Sequence, residues 1–231
     1  MLLICLSFVC VQAYSQKLTT ADEVIEKYLE VTKLKSNTAA ITDMVMSMTS
    51  ESPRGVAETE RKFLFPYKYT MSVYASGMTI MSTTFDGEKL QTKSNWGGGN
   101  QEPKTGAAAK NEAFKTHPFF EIEFKTAGFI PSFVGEEGDY YILEFKDSDN
   151  KTWKNYYNIK TGLKDKVWSK NESPRGPFEA TTVFENYKAF KGSDILFPTV
   201  TKQTSSMGEI TSETQSIKFN KGVKPKDFEI K

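Results

Sequence analysis

The chain is poor in the residues on which most side-chain catalysis depends. Its 231 residues hold one histidine, His117, and two cysteines, Cys5 and Cys10, both within the first ten positions. That scarcity excludes thiol catalysis, zinc clusters and Ser-His triads with a histidine to spare. Lys and Arg number 30 against 29 acidic residues, so there is no strongly basic surface for nucleic acid. No run of about 20 apolar residues exists, and nothing reads as membrane-spanning. Only three of the 30 basic residues are arginine, which leaves few bidentate anion clamps. What remains is a chain with 13% aromatics and 26% charged residues, ample for a globular core. The composition points to a binding protein.

Leu2 to Val11 reads LLICLSFVCV, within the ~7–15 residues of a signal-peptide core. Val11, Ala13 and Ser15 are small, which places cleavage after about Ala13 or Ser15. No Lys or Arg precedes Lys17, so the positive leading region is missing. A buried N-terminal strand is the alternative, opposed by the polar, Lys-rich sequence that follows. Cys10 follows Phe8 and Val9 where a lipoprotein signal needs a small residue, and Cys5 comes too early. The expectation is a signal peptide over residues 1–15 and one domain over 16–231. The secreted part would carry no cysteine and would depend on core packing alone.

Thr20-Ala21-Asp22-Glu23 is a capping box. Val24, Ile25, Tyr28, Leu29 and Thr32 follow at helical spacing, which predicts an amphipathic helix over about 20–33. Ser36 to Ile41 reads as a short further turn. From residue 43 the period changes to two. Segments 59–65, 68–75, 78–85 and 88–92 read as further strands, with Asp86-Gly87 as a hairpin signal. Residues 105–115 favour helix. Phe119 to Phe133 is apolar and aromatic, with Gly128 and Pro131 breaking any regular element. Strands are expected again at 139–146, 152–159, 163–170, 178–187, 199–205 and 209–219. Glu-Ser-Pro-Arg-Gly occurs at Glu51 to Gly55 and at Glu172 to Gly176, each copy between two strands, as two similar turns.

His117 has no recognisable partner motif and reads as a solvated or capping residue, not a general base. Gly97, Gly98 and Gly99 lack the Lys-Ser/Thr of a phosphate loop and read as a loose loop. No carboxylate pair stands out for glycosidase chemistry. Neither a catalytic set, a metal site nor a cofactor is expected. Asn150-Lys151-Thr152 and Asn171-Glu172-Ser173 match the glycosylation pattern, which matters only in a eukaryotic secretory pathway.

The methionines are more informative. Six of eight fall between residues 44 and 81. Methionine is flexible and polarisable, and recurs on surfaces that accept variable apolar ligands. An ordinary core beneath the capped helix and a concave sheet face for acyl chains both fit. On the second reading the groove is lined by Met44, Met46, Met48, Phe63, Phe65, Tyr69 and Met71. This takes even positions of the first strand and odd positions of the next two as inward-facing. Phe129, Ile130 and Phe133 would then close the open side as a lid.

The chain also resembles a known family. The markers are TADEVIEKYLEVT at the start, STTFDGEKL, YYNIKTGLK, ENYKAFKGSDILFPTVTK, and IKFNKGVKPKDFEI at the end. Together they resemble the LolA-like outer-membrane lipoprotein-carrier superfamily over about residues 17 to 231, especially the forms common in Bacteroidetes. Each marker is mainly a turn, and turns specify fold better than activity. The resemblance implies a mainly β fold: a strongly curved antiparallel sheet, an incomplete barrel of about ten or eleven strands, with helices closing the concave side. It implies a periplasmic, cofactor-free carrier of lipid-modified proteins or other acyl-chain ligands, with membrane-bound donor and acceptor proteins. An envelope protein-binding or sensing module with the same fold, or an accessory domain to an exported enzyme, is the alternative.

Overall fold

In the computed structural model of the chain, the described residues are 17–95, 100–147, 149–173, 176–206 and 208–230. The expected signal peptide and the three glycines at 97–99 lie outside them. Thr20 caps α1 (Ala21–Val31): its hydroxyl accepts from the Glu23 N–H at 3.2 Å, and the Glu23 carboxylate accepts from the Thr20 N–H at 3.0 Å. Val24, Ile25, Tyr28 and Leu29 bury one face of this helix. A short α2 (Leu34–Asn37) and a 3-10 turn (Thr38–Ala40) lead into the sheet.

The strands form two meanders. The first comprises β1 (Asp43–Ser52), β2 (Gly55–Leu64), β3 (Lys68–Ala75), β4 (Met78–Phe85), β5 (Lys89–Ser94) and β6 (Lys104–Thr105). Then α3 (Gly106–Lys115) and α4 (Phe120–Glu123) intervene. The second comprises β7 (Ile130–Glu137), β8 (Tyr140–Lys146), β9 (Thr152–Asn158), β10 (Lys164–Ser173), β11 (Gly176–Ala189), β12 (Leu196–Ser205) and β13 (Gly208–Phe219). The two meanders join in the middle, where β1 pairs antiparallel with β13 and Met44 stands opposite Phe219. The result is one antiparallel sheet with β6 at one edge and β7 at the other. It does not close into a barrel. Register shifts at Ser47/Met48, Val73/Tyr74, Phe133/Gly135 and Lys164/Lys166 mark irregularities of the kind that bend and twist a sheet.

The described residues hold thirteen strands, not ten or eleven. The two additions are β6, only two residues long, and β7, which starts inside the aromatic stretch that sequence reading leaves irregular. Gly128, at φ +82°, turns the chain after α4, and the Phe129 N–H bonds back to the Phe124 carbonyl at 2.9 Å. Pro131 is tolerated because an edge strand need not donate on its outer side. The repeated pentapeptide falls at two connections between paired strands, with Ser52 opposite Gly55 and Ser173 opposite Gly176.

The helices lie on the inner face of this sheet. Phe119 stacks 4.8 Å from Phe65 and meets Phe197 at 6.4 Å, so it touches both meanders. Phe120 packs on Phe145 and Trp153 at 5.2 and 6.0 Å, and Tyr28 of α1 meets Tyr157 edge-on at 5.5 Å. Each such aromatic contributes roughly 1.5–3 kcal/mol of burial. One continuous core results.

Candidate functional site

Strand pairing arranges the inner face of the first meander in rows. In the first row Phe85, Tyr69, Phe63, Met44 and Phe219 stand side by side across five strands. All five are buried, and Met44 is 0% exposed. The next row is Thr83, Met71, Arg61, Met46 and Ile217. Here Met46 and Met71 are only partly buried against the core. The third row is Met81, Val73, Thr59 and Met48, with Thr214 beyond. Its first four members are half-buried. Burial therefore falls along the strands, away from the helices and toward the turns at Ser52–Gly55 and Ala75–Met78.

The seven residues expected to line a groove thus share one face but not one environment. Met44, Phe63 and Tyr69 belong to the packed end, and Phe65 stacks between Phe63 and Phe119 at 6.2 and 4.8 Å. Met46, Met48 and Met71 lie toward the open end. The packed end is tight. A pocket lined by Phe63, Tyr69, Phe85, Phe114 and His117 encloses about 10 Å³, room for one water.

Phe129, Ile130 and Phe133 are not brought together as a lid. Phe129 is buried 5.4 Å from both Phe120 and Trp153. Ile130 points outward at 70% exposure, and Phe133 lies on the edge strand 6.1 Å from Tyr141. The physical reason is the turn at Gly128, which leaves Phe129 in the core just before β7 and gives Ile130 the opposite strand parity to Phe133. The elements that cover the inner face are α3, α4 and α1.

His117 joins the end of α3 to the sheet. Its Nε2 donates to the Pro66 carbonyl and its Nδ1 accepts from the Phe119 N–H, both at 3.1 Å. Phe65, Phe114 and Phe119 surround the ring. Burial lowers its pKa to about 4, against the two backbone hydrogen bonds, so it is a neutral cap at ordinary pH.

Two features escape the sequence pattern. The first is a buried polar cluster beneath α1 and α4. Lys164 Nζ lies 2.5 Å from Glu121 Oε1, which also accepts from the Tyr157 hydroxyl at 3.3 Å. The Tyr187 hydroxyl donates to the Lys164 carbonyl at 2.7 Å. Burial pushes the hydroxyls of Tyr28, Tyr157 and Tyr187 well above the ordinary tyrosine range, so they stay neutral donors. The second is Arg61, set between Met46 and Met71. Its inward direction was legible in principle, because it shares strand parity with Phe63 and Phe65. Among the described residues no group of three or more His, Cys, Asp or Glu side chains is placed to hold a metal.

An open, strongly bent antiparallel sheet with helices laid on its inner face is a LolA-like fold. A LolA superfamily protein from Nitrosomonas europaea matches at a TM-score of 0.57 and 16% identity, covering 92% of this chain and 99% of that one. A DUF1329 family protein from Desulfovibrio piger matches at 0.57 and 11% identity, covering 90% and 96%. No family model and no curated relative matches the sequence. Among the described residues no helix is long and apolar enough to cross a membrane.

Proposed function

We propose that this protein is a periplasmic carrier that holds the acyl chains of lipid-modified proteins on its concave face for delivery to the outer membrane. The observation that carries the reading is the run of half-buried methionines, Met46, Met48, Met71 and Met81, on the inner face of the first meander. Flexible thioethers there can repack around chains of different shape. An acyl chain in water costs about 0.8 kcal/mol per exposed methylene, so a carrier needs a dry, reversible apolar surface and no covalent step. The fold supports the reading by analogy with the LolA superfamily. Export would be directed by residues 1–15, with cleavage after about Ala13 or Ser15.

The test is to purify the protein without detergent and to extract and weigh any bound acyl chains. A fluorescent acyl probe should then bind the emptied protein. Met46→Gln should weaken that binding while moving the melting temperature little, since water reaches this wall once the ligand leaves. Loss of stability in the variant, with no ligand in the parent and no probe binding, would return the methionines to the core.

A further inference from the structure

Of the three arginines, Arg54 lies in the β1–β2 turn and Arg175 outside the described residues, whereas Arg61 lies within β2. Strand alternation puts Arg61 on the same face as Phe63, which is 2% exposed in the core. Its cross-strand neighbours on that face are both apolar: Met46 on β1 and Met71 on β3. The Nε atom is buried without a hydrogen-bond partner. None of the ion pairs among the described residues involves Arg61. Burial accordingly draws the guanidinium below its ordinary pKa, only partly offset by Tyr69. Elsewhere on the inner face a buried cation is compensated: Lys164 has Glu121. Arg61 as a whole is only partly buried, but a guanidinium whose Nε is shut off without a partner between two thioethers is costly to keep, and its planar fork suits an oxyanion held by two parallel hydrogen bonds.

We infer that Arg61 is the anchor for the oxyanion head, carboxylate or phosphate, of a long-chain amphiphile whose tail lies on the methionine face. The inner face has the matching length. From Arg61 to Gly55 β2 rises six residues, about 20 Å at strand spacing, which suits an extended long acyl chain. Met48 and Val73 flank that path on the neighbouring strands, Met81 lies one strand further out on β4, and Thr59 is beneath the path. The head therefore sits deep, where the helices begin to cover the sheet, and the tail runs toward the rim turns. This orientation rests on the carrier reading above and adds a ligand class to it.

The experiment titrates the parent, Arg61→Met and Arg61→Lys with four probes: a long-chain fatty acid, its methyl ester, the lysophosphatidate of the same chain, and inorganic phosphate. The parent should bind both anionic lipids at least about tenfold tighter than the ester, a difference of roughly 1.4 kcal/mol. Arg61→Met should bind the ester as the parent does and lose the preference, while Arg61→Lys keeps part of it. Because Arg61 has no internal partner, Arg61→Met should melt at or above the parent temperature. Equal binding of acid and ester by the parent, or a preference that survives in Arg61→Met, overturns the anchor and leaves the carrier standing. Inorganic phosphate that binds as tightly as the lysophosphatidate overturns the amphiphile in favour of a plain anion site. A large fall in melting temperature for Arg61→Met, with Arg61→Lys equally unstable, makes the residue structural and also overturns the anchor. Failure of the parent to bind any lipid overturns the carrier reading itself.

Discussion

Glu121 and Lys164 stand 2.5 Å apart with side chains only 2% and 15% exposed, and they tie α4 to β10 across the inner face of the sheet. The pair is embedded: the Lys164 ammonium also lies 5.6 Å from the Tyr28 ring and 5.4 Å from the Phe184 ring. A buried ion pair is weak evidence of net stability, because desolvation offsets its attraction. What it supplies here is position. Any ligand entry that lifts α4 must separate these charges or move them together.

Removing one partner should therefore cost far more than removing both. Glu121→Leu is expected to destabilise by about 3–5 kcal/mol, since it strands a buried ammonium. Glu121→Leu with Lys164→Met should recover most of that loss. Urea unfolding of both single variants and the double variant closes the cycle, and simple additivity would contradict the coupling.

The methionine face should split in two by stability. Met44 is fully buried between Phe63 and Phe219, so Met44→Gln buries an unpaired amide and should cost about 1–3 kcal/mol or more. Met48 is half-buried at the open end of the face, and Met48→Gln should stay within about 0.5 kcal/mol while weakening acyl-probe binding. Thermal melts of the two variants side by side make the comparison.

His117 gives the fold a pH dependence of definite sign. Its folded pKa of about 4 lies below the ordinary 6.5, so between those values the unfolded chain takes a proton that the folded chain refuses. Its contribution is complete above 6.5 and falls away as pH drops toward 4. The full effect is on the order of 3 kcal/mol. Urea midpoints at about pH 7 and about pH 4.5 should drop less for His117→Gln than for the parent. An equal drop would assign the acid sensitivity elsewhere, for example to Asp147, whose carboxyl is held below its usual range by Lys115 and by the N–H groups of Lys151 and Asp149, against the opposing effect of burial.

Phe119 is the aromatic that bridges the two meanders, between Phe65 and Phe197. Phe119→Ala should cost about 3–5 kcal/mol by leaving a cavity between the β2–β3 connection and β12. Hydrogen exchange should show the loss first in α3 and α4, ahead of β1 and β13. Uniform loss across the sheet would mean that the helices and strands open as one unit.

Local patterns are what the sequence determined by itself. The Thr20–Glu23 capping box starts α1 where its hydrogen bonds require, and the period of two marks most strands, because both depend on residues a few positions apart. The even methionines of β1 and the odd residues of β2 and β3 share one face for the same reason. Residues 119–133 were opaque because their five phenylalanines fall at neither helix nor strand spacing, and only contacts with Trp153 and Phe145, more than twenty residues on, divide the stretch into α4 and β7. The pairing of β1 with β13, the helices' seat on the inner face and the Glu121–Lys164 pair join residues 21 to 175 positions apart. The same holds for Arg61. Its parity is written in β2, but its lack of a counter-charge is a property of every strand and helix that surrounds it, and only the assembled sheet decides that.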